Sequence, residues 1–332
     1  MKCKKCNSKD TIKDGVEYAK KHRNQKYLCN ECKYQWRVRL DLVDIQGITA
    51  DEHVDFESEI LPYLVQIGER AKQKNITDRQ QTITVPGNKP FAIALLSDIH
   101  GGGKSDYTAL KKDMDIIEKT DRMFTATHGD EIDNFISSKL TWIQKEQPTT
   151  HDMEIRFLRW FFEKLQGKLL WACSGNHNNW TQKASGIDFL RELLKGVKCL
   201  YNSNQIVFDL HWGKHKQTWL VRHKFRHSSI FNTTHGIEVA WERMGMDFDV
   251  GVCGHTHIAT LCRPFIKQDK VRYAVLLGTY KMRDNYQSEI GFPRSHGTGS
   301  GAFVYNPDGR VLWTEDLKTA RDMLKVWEGK VL

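Results

Sequence analysis

Residues 89–316 alternate short apolar runs with stretches of helical period. FAIALLS, MFTAT, LLWACS, TWLVR, DVGVCG and YAVLLGT are five to seven residues long, short enough to read as buried strands. Between them, 106–119, 153–166 and 187–195 repeat apolar positions at helical spacing. Late in the chain, GAFVYNPDGRVLW brackets Asn306-Pro307-Asp308-Gly309 with alternating apolar positions, a hairpin signature. The alternation predicts an α/β fold with a β-rich end.

The pattern changes before residue 89. Over 41–88, Val54, Phe56, Ile60, Leu61, Leu64, Val65 and Ile67 give an apolar face of imperfect helical period. Thr49 with Glu52 reads as a capping box, and Pro62 is expected to kink or split the helix. Residues 1–40 are polar throughout, with Asp14-Gly15 as a turn signal. The expected organisation is a module over 1–40, a helical connector over 41–88, a catalytic region over 89–316, and a C-terminal helix over 317–332 packed on that region.

Charge separates these regions further. Residues 1–40 hold 12 Lys/Arg against 4 Asp/Glu, while the rest of the 332-residue chain contributes only +1 to the net +9. A polyanionic partner is therefore expected for the N-terminal module. Nothing in the sequence resembles a signal peptide, and no apolar run nears the roughly 20 residues that span a bilayer. A cytoplasmic protein without membrane partners is the expectation; protein partners and oligomeric state are left open.

Cysteine spacing gives the module its chemistry. Cys3, Cys6, Cys29 and Cys32 form C-x2-C-x22-C-x2-C, two knuckles able to set four thiolates around one structural Zn²⁺. Cys173, Cys199, Cys253 and Cys262 lie in apolar surroundings and read as buried thiols. With YLCNECKYQWRV at the second knuckle, the module resembles the zinc ribbons of transposases and transcription factors. That resemblance implies nucleic-acid contact by Lys4, Lys5, Lys20, Lys21, Arg23, Lys26, Trp36 and Arg37. For Trp36, packing of the small core is the competing expectation.

The strand ends carry the reactive groups. FAIALLS runs into Asp98-Ile99-His100, MFTAT into His128-Gly129-Asp130-Glu131-Ile132-Asp133, and LLWACS into Gly175-Asn176-His177. TWLVR runs into His223 and DVGVCG into His255-Thr256-His257. Asp, His and Asn delivered by five successive strand ends make a donor set suited to two borderline divalent cations. His223 is chosen over His227 because it follows directly on its strand; His128 has no matching partner.

This order, D-x-H, G-D-x-x-D, G-N-H, H, G-H-x-H, resembles the calcineurin-like metallophosphoesterases over residues 91–315. The resemblance implies a four-layer αββα sandwich with two metals at one edge. It assigns Asp98, His100 and His257 to one metal, Asn176, His223 and His255 to the other, and Asp130 as the bridge. His177 would be the catalytic histidine and Asp133 the carboxylate that orients it. Manganese is expected, with iron, zinc, nickel or magnesium as alternatives. A hydroxide between the two ions would hydrolyse a phosphoester.

Departures narrow the substrate. Protein serine/threonine phosphatases of this type carry Arg-Gly after the second motif and Glu after Gly-Asn-His; here Asn134-Phe135 and Asn178-Asn179 occupy those places. The related double-strand-break exonucleases carry Asp after Gly-Asn-His, which Asn178 does not match. Coupled to a basic ribbon, the site reads as a DNA- or RNA-directed phosphodiesterase, a nuclease. The alternatives are a phosphomonoesterase or small-molecule phosphodiesterase whose ribbon binds a protein, and a nucleic-acid adaptor with a weak site.

Overall fold

A computed structural model of the chain describes residues 1–19, 22–40, 56–77, 81–136, 147–227, 229, 231–282 and 299–329. The chain divides into two compact units, Met1–Lys72 and Gln73–Leu332. The capping box at Thr49 and Glu52 lies outside the described residues, as do Lys20 and Lys21 of the ribbon and the side chain of Arg23.

In the first unit, β1 (Thr11–Ala19), β2 (His22–Cys29) and β3 (Gln35–Leu40) form an antiparallel sheet in that order. Asp14-Gly15 is not the hairpin turn that the sequence suggested. It lies within β1 as a bulge, where the register against β2 shifts between Lys13 and Val16. Gly15 takes φ of 79°, the left-handed backbone that such a bulge asks of its glycine. The core of the ribbon is very small: Cys3, Cys29 and Trp36, with Tyr27, Cys32 and Val38 packed against them. A π-helical turn at Phe56–Ile60 then leads into α1 (Leu61–Thr77). Pro62 falls at the junction between that π-helical turn and α1, where the helical period changes, as the expected kink or split implies.

The second unit holds two six-stranded sheets. The first has the order β15-β14-β5-β6-β7-β8, built from β5 (Phe91–Leu96), β6 (Met123–Thr127), β7 (Leu169–Cys173), β8 (Leu200–Asn202), β14 (Ser300–Tyr305) and β15 (Val311–Thr314). The other has the order β12-β13-β11-β10-β9-β4, from β4 (Gln81–Val85), β9 (Ile206–Trp212), β10 (His215–Val221), β11 (Val250–Cys253), β12 (Leu261–Lys267) and β13 (Lys270–Leu276). Every strand expected from the apolar runs is present. β5 through β8 are parallel to one another, and so are β10, β11 and β13. The hairpin turn at Asn306–Arg310 closes as the dipeptides implied, with Gly309 at φ of 98°.

Alternation along β5 shows how the layers are made. Phe91, Ile93 and Leu95 point into one core with Trp171 of β7, Phe208 of β9 and Trp219 of β10, so this core lies between the two sheets. Ala92, Ala94 and Leu96 point the other way, into a second core with α2 (Tyr107–Lys119), α3 (His151–Leu165) and α7 (Leu317–Trp327). A strand covered on both faces must be apolar throughout, which is why FAIALLS shows no period of two. The outer face of the other sheet packs Leu220, Ala274 and Leu276 against Ile237 and Ala240 of α6 (His235–Met244). Two further helices, α4 (Asn176–Ser185) and α5 (Phe189–Leu193), follow β7. On α3, Phe161, Phe162 and Leu165 are buried while Trp160 is exposed.

Candidate metal centre

The parallel strands β5, β6 and β7 of one sheet and β10 and β11 of the other all end at one place. The residues just beyond those ends gather there in sets whose donor atoms lie within 4.8 Å of one another; besides His100, Asp133 and His177, two groups hold the expected ligands: Asp98, His100 and His257, and Asp130, His223 and His255. Both groups can hold a metal ion. Asn176, the first residue of α4, joins the second group through Oδ1, 3.1 Å from Nε2 of His223. All seven expected ligands thus converge. His227, the rejected rival of His223, is exposed.

Each carboxylate is anchored by one oxygen and open at the other. Oδ2 of Asp98 accepts hydrogen bonds from Ser97 Oγ at 2.5 Å and from the His255 amide at 2.9 Å. Its Oδ1 is left facing His257 Nε2 at 3.0 Å. Asp130 repeats the scheme: Oδ1 accepts from the His177 amide at 2.9 Å, and Oδ2 faces His223 Nε2 at 3.0 Å. The anchoring amide belongs to the first turn of α4, an end that favours negative charge.

The imidazoles are fixed from behind. Nδ1 of His223 donates to the His128 carbonyl at 2.7 Å, and Nδ1 of His100 donates to Oδ1 of Asp133 at 2.6 Å. With Nδ1 engaged from behind, Nε2 is the nitrogen that faces inward, the arrangement that metal-binding histidines adopt. Nε2 of His100 meets Nε2 of His257 at 3.0 Å, beside the open oxygen of Asp98. A shared proton, or a metal ion in its place, lets two ring nitrogens and a carboxylate oxygen stand this close.

Charge makes the same demand. Burial disfavours the Asp98 carboxylate, but His223, His100 and His257 outweigh it and hold the group well below the usual range. Burial opposes ionisation of Asp130 too, and His223 with His177 brings it down. Burial works against the His223 cation, yet Asp130 and Asp98 raise that imidazole to about 10. The two carboxylates thus stay ionised and favour positive charge beside them, first a second proton on His223, which a metal would displace. Burial lowers His177 and His255 to about 4, keeping both neutral at ordinary pH.

Close approach and strain build the loops. A Cβ on Gly175 would stand 2.0 Å from Asp130 Oδ1, and one on Gly254 2.2 Å from Asp98 Oδ2, so only glycine lets these turns pass behind the carboxylates. Asp98, His100, Asp130, His255 and His257 all have φ between 48° and 72°. Left-handed backbone at five ligands is costly for non-glycine residues and is retained where function requires it.

One expected role is reassigned. The Asp133 carboxylate does not orient His177; it accepts from His100 and also pairs with Lys281 Nζ at 2.9 Å and Gln147 Nε2 at 3.0 Å. His177 is held by the Asp133 main-chain carbonyl, 2.5 Å from its Nδ1. The G-D-x-x-D spacing placed the residue correctly, but it cannot tell a side-chain oxygen from the carbonyl next to it. Lys281 is a residue the sequence reading missed. It is buried, 5.2 Å from the ring centre of Phe135, and lies five residues past β13 with no motif around it. Trp180 was missed too; its ring packs on His177 with centres 4.2 Å apart. Helical spacing from His177 was the one signal for it.

The departures noted in the sequence have local structural roles. Asn178 Oδ1 accepts from the Asp130 amide at 2.9 Å, and Asn134 Nδ2 donates to the His177 carbonyl at 2.5 Å. His128 is a core histidine lowered to about 3 by burial, and its carbonyl, not its ring, serves the centre.

In the ribbon, Cys3, Cys6, Cys29 and Cys32 lie close enough to hold a metal ion. Opposite thiols stand 3.6 Å apart, Cys3 to Cys32 and Cys6 to Cys29. Trp36 is buried and stacks between Tyr27 and Tyr34, so it packs the core and offers no face to a base. Arg37 pairs with Glu17 at 2.7 Å, while Lys4 and Lys5 are exposed and Lys26 is half-buried. No helix among the described residues is long and apolar enough to cross a membrane. No protein-family model matches the chain, and no curated protein matches it in sequence.

Proposed function

We propose that the second unit is a dinuclear-metal phosphodiesterase acting on DNA or RNA, built as a four-layer αββα sandwich of the metallophosphoesterase kind. The observation that carries this reading is the pair of three-donor groups, each with one anchored and one open carboxylate oxygen. In this reading Asp98, His100 and His257 would hold one ion, Asn176, His223 and His255 the other, and Asp130 would serve both; the ions would supply a nucleophile at neutral pH and offset the phosphate charge. Manganese is the preferred choice, with iron, zinc, nickel or magnesium as alternatives.

The chain's own groups have the following parts. Asp133 and the His128 carbonyl hold Nδ1 of His100 and His223, so that Nε2 of each would be the atom given to a metal. His177, pinned through Nδ1, turns Nε2 toward the centre, 3.9 Å from Asp130 Oδ2. That nitrogen carries a lone pair, so it can take the proton of the attacking water and pass it to the leaving oxygen, and the packed ring of Trp180 limits its swing. In place of an arginine that would grip a phosphomonoester dianion, Asn134 is spent on the His177 carbonyl, which favours a diester. The ribbon, carrying one structural Zn²⁺, supplies salt-sensitive affinity through its exposed lysines.

The test is cleavage of labelled single- and double-stranded DNA and RNA by the purified chain with Mn²⁺. Asp130→Asn should lower the rate at least about 10³-fold, some 4 kcal/mol of transition-state stabilisation. Brisk hydrolysis of a p-nitrophenyl monoester with no cleavage of any nucleic acid would overturn this reading in favour of a phosphomonoesterase.

A further inference from the structure

Residues 41–332 are nearly neutral overall, yet the fold does not spread their charge evenly. A groove of about 830 Å³ between α2 and α7 is lined by Lys111, Lys112 and Lys119 on one side and Lys318, Arg321 and Lys325 on the other. The acids set against them are few. Asp115 meets Lys111 at 2.7 Å and Lys119 at 3.8 Å, and Asp322 meets Arg321 at 2.9 Å and Lys325 at 3.9 Å. Asp316 is occupied in capping α7, accepting from the Thr319 amide at 2.8 Å. Among the described residues, Lys112 and Lys318 make no ion pair.

The groove adjoins the loop that follows His100. Tyr107 lines one end and is 42% exposed. Its hydroxyl accepts from the Gly102 amide at 2.8 Å and donates to the Gly103 carbonyl at 3.0 Å. Gly102 and Gly103 belong to the loop that carries His100, so a polymer lying in the groove passes beside that loop.

We propose that this groove is a docking track for the sugar–phosphate backbone of a nucleic acid, an inference that rests on the phosphodiesterase reading above. Helices rise about 1.5 Å per residue, so the cations on each wall span roughly 10–12 Å. One strand advances about 3.4 Å per nucleotide along a duplex, so that length serves about three phosphates. Exposed ion pairs such as Lys111–Asp115 contribute little by themselves, and their cations can turn to a phosphate at small cost. Tyr107 adds an aromatic face for a sugar or base at the catalytic end.

The experiment measures binding of the full chain to a fluorescent single-stranded 20-mer by anisotropy, in EDTA, across a salt series. The variants are Lys112→Gln/Lys318→Gln and Lys112→Arg/Lys318→Arg. Neutralising the pair should flatten the slope of log K against log salt by about 1.4, two contacts at about 0.7 each, and weaken binding about tenfold at 0.1 M salt. The arginine pair should keep the slope. An unchanged slope and affinity in the glutamine pair overturns the track. So does loss of binding to phosphatidylglycerol vesicles with DNA binding intact, which would make the groove a lipid surface. Should the glutamine pair melt early, Lys325→Gln gives the same reading with one contact removed. Hydrolysis of bis(p-nitrophenyl) phosphate by the wild-type chain with Mn²⁺ tests the catalytic reading by itself. Its absence would sink that reading while the metal-free binding still decides the groove.

Discussion

The two units hold their candidate metals by opposite routes. In the ribbon, four thiols come from two knuckles on one small sheet, and the core they share holds Cys3, Cys29 and Trp36 with three half-buried neighbours. In the second unit, the donors come from five strand ends spread from Asp98 to His257, and two sheets with nineteen buried residues between them position those ends. The ribbon would therefore depend on a bound metal in order to fold, whereas the second unit would depend on its fold in order to bind one. A small core cannot hold four thiolates together against their mutual repulsion without an ion. A large one can hold carboxylates and histidines in strained, left-handed turns before any ion arrives.

Three substitutions bear on that contrast. The largest effect is expected from Cys29→Ser, which should abolish zinc binding and remove on the order of 10 kcal/mol of folding free energy from the ribbon alone. Zinc content and Trp36 fluorescence should report the loss, while the main calorimetric transition, that of the second unit, stays in place. A drop in that transition would mean the two units do not fold separately. Next comes Trp171→Ala, which removes a fully buried ring packed 5.2 Å from Trp219 between the sheets. It should cost the second unit about 3–5 kcal/mol, read by urea denaturation, and leave ribbon zinc untouched. The smallest is Asp133→Asn, which keeps an acceptor for His100 but removes its charge. Metal affinity at the His100 group should fall about tenfold, or about 1.4 kcal/mol, by titration calorimetry with Mn²⁺. Unchanged affinity with a shifted pH–rate profile would instead return Asp133 to the role of orienting His177.

Much of this was legible in the chain itself. The strand runs appeared because strands covered on both faces must be apolar at every position, as β5 is. The ligands could be located because the residue after a strand end has few places to point. The ribbon's cysteines could be grouped because C-x2-C is a local geometry. The errors share a cause: each turned on a choice between atoms or conformations that one residue type allows. Asp14-Gly15 suits a bulge as well as a turn, and Asp133 offers a carboxylate as well as a carbonyl. Trp36 could face a base or a core, and burial in the ribbon decided it.

The sequence by itself determined which residue types stand at which strand ends, and with that the donor set and its order. Only the tertiary structure decided that Asp133 turns its carboxylate to His100 and its carbonyl to His177, that Lys281 comes to lie beside them, and that six cations line one groove. The reason is physical. Donor chemistry is a property of a side chain, but charge fields and hydrogen-bond partners depend on distance in space. Residues 111 and 325 become neighbours only when α2 and α7 cover the same sheet.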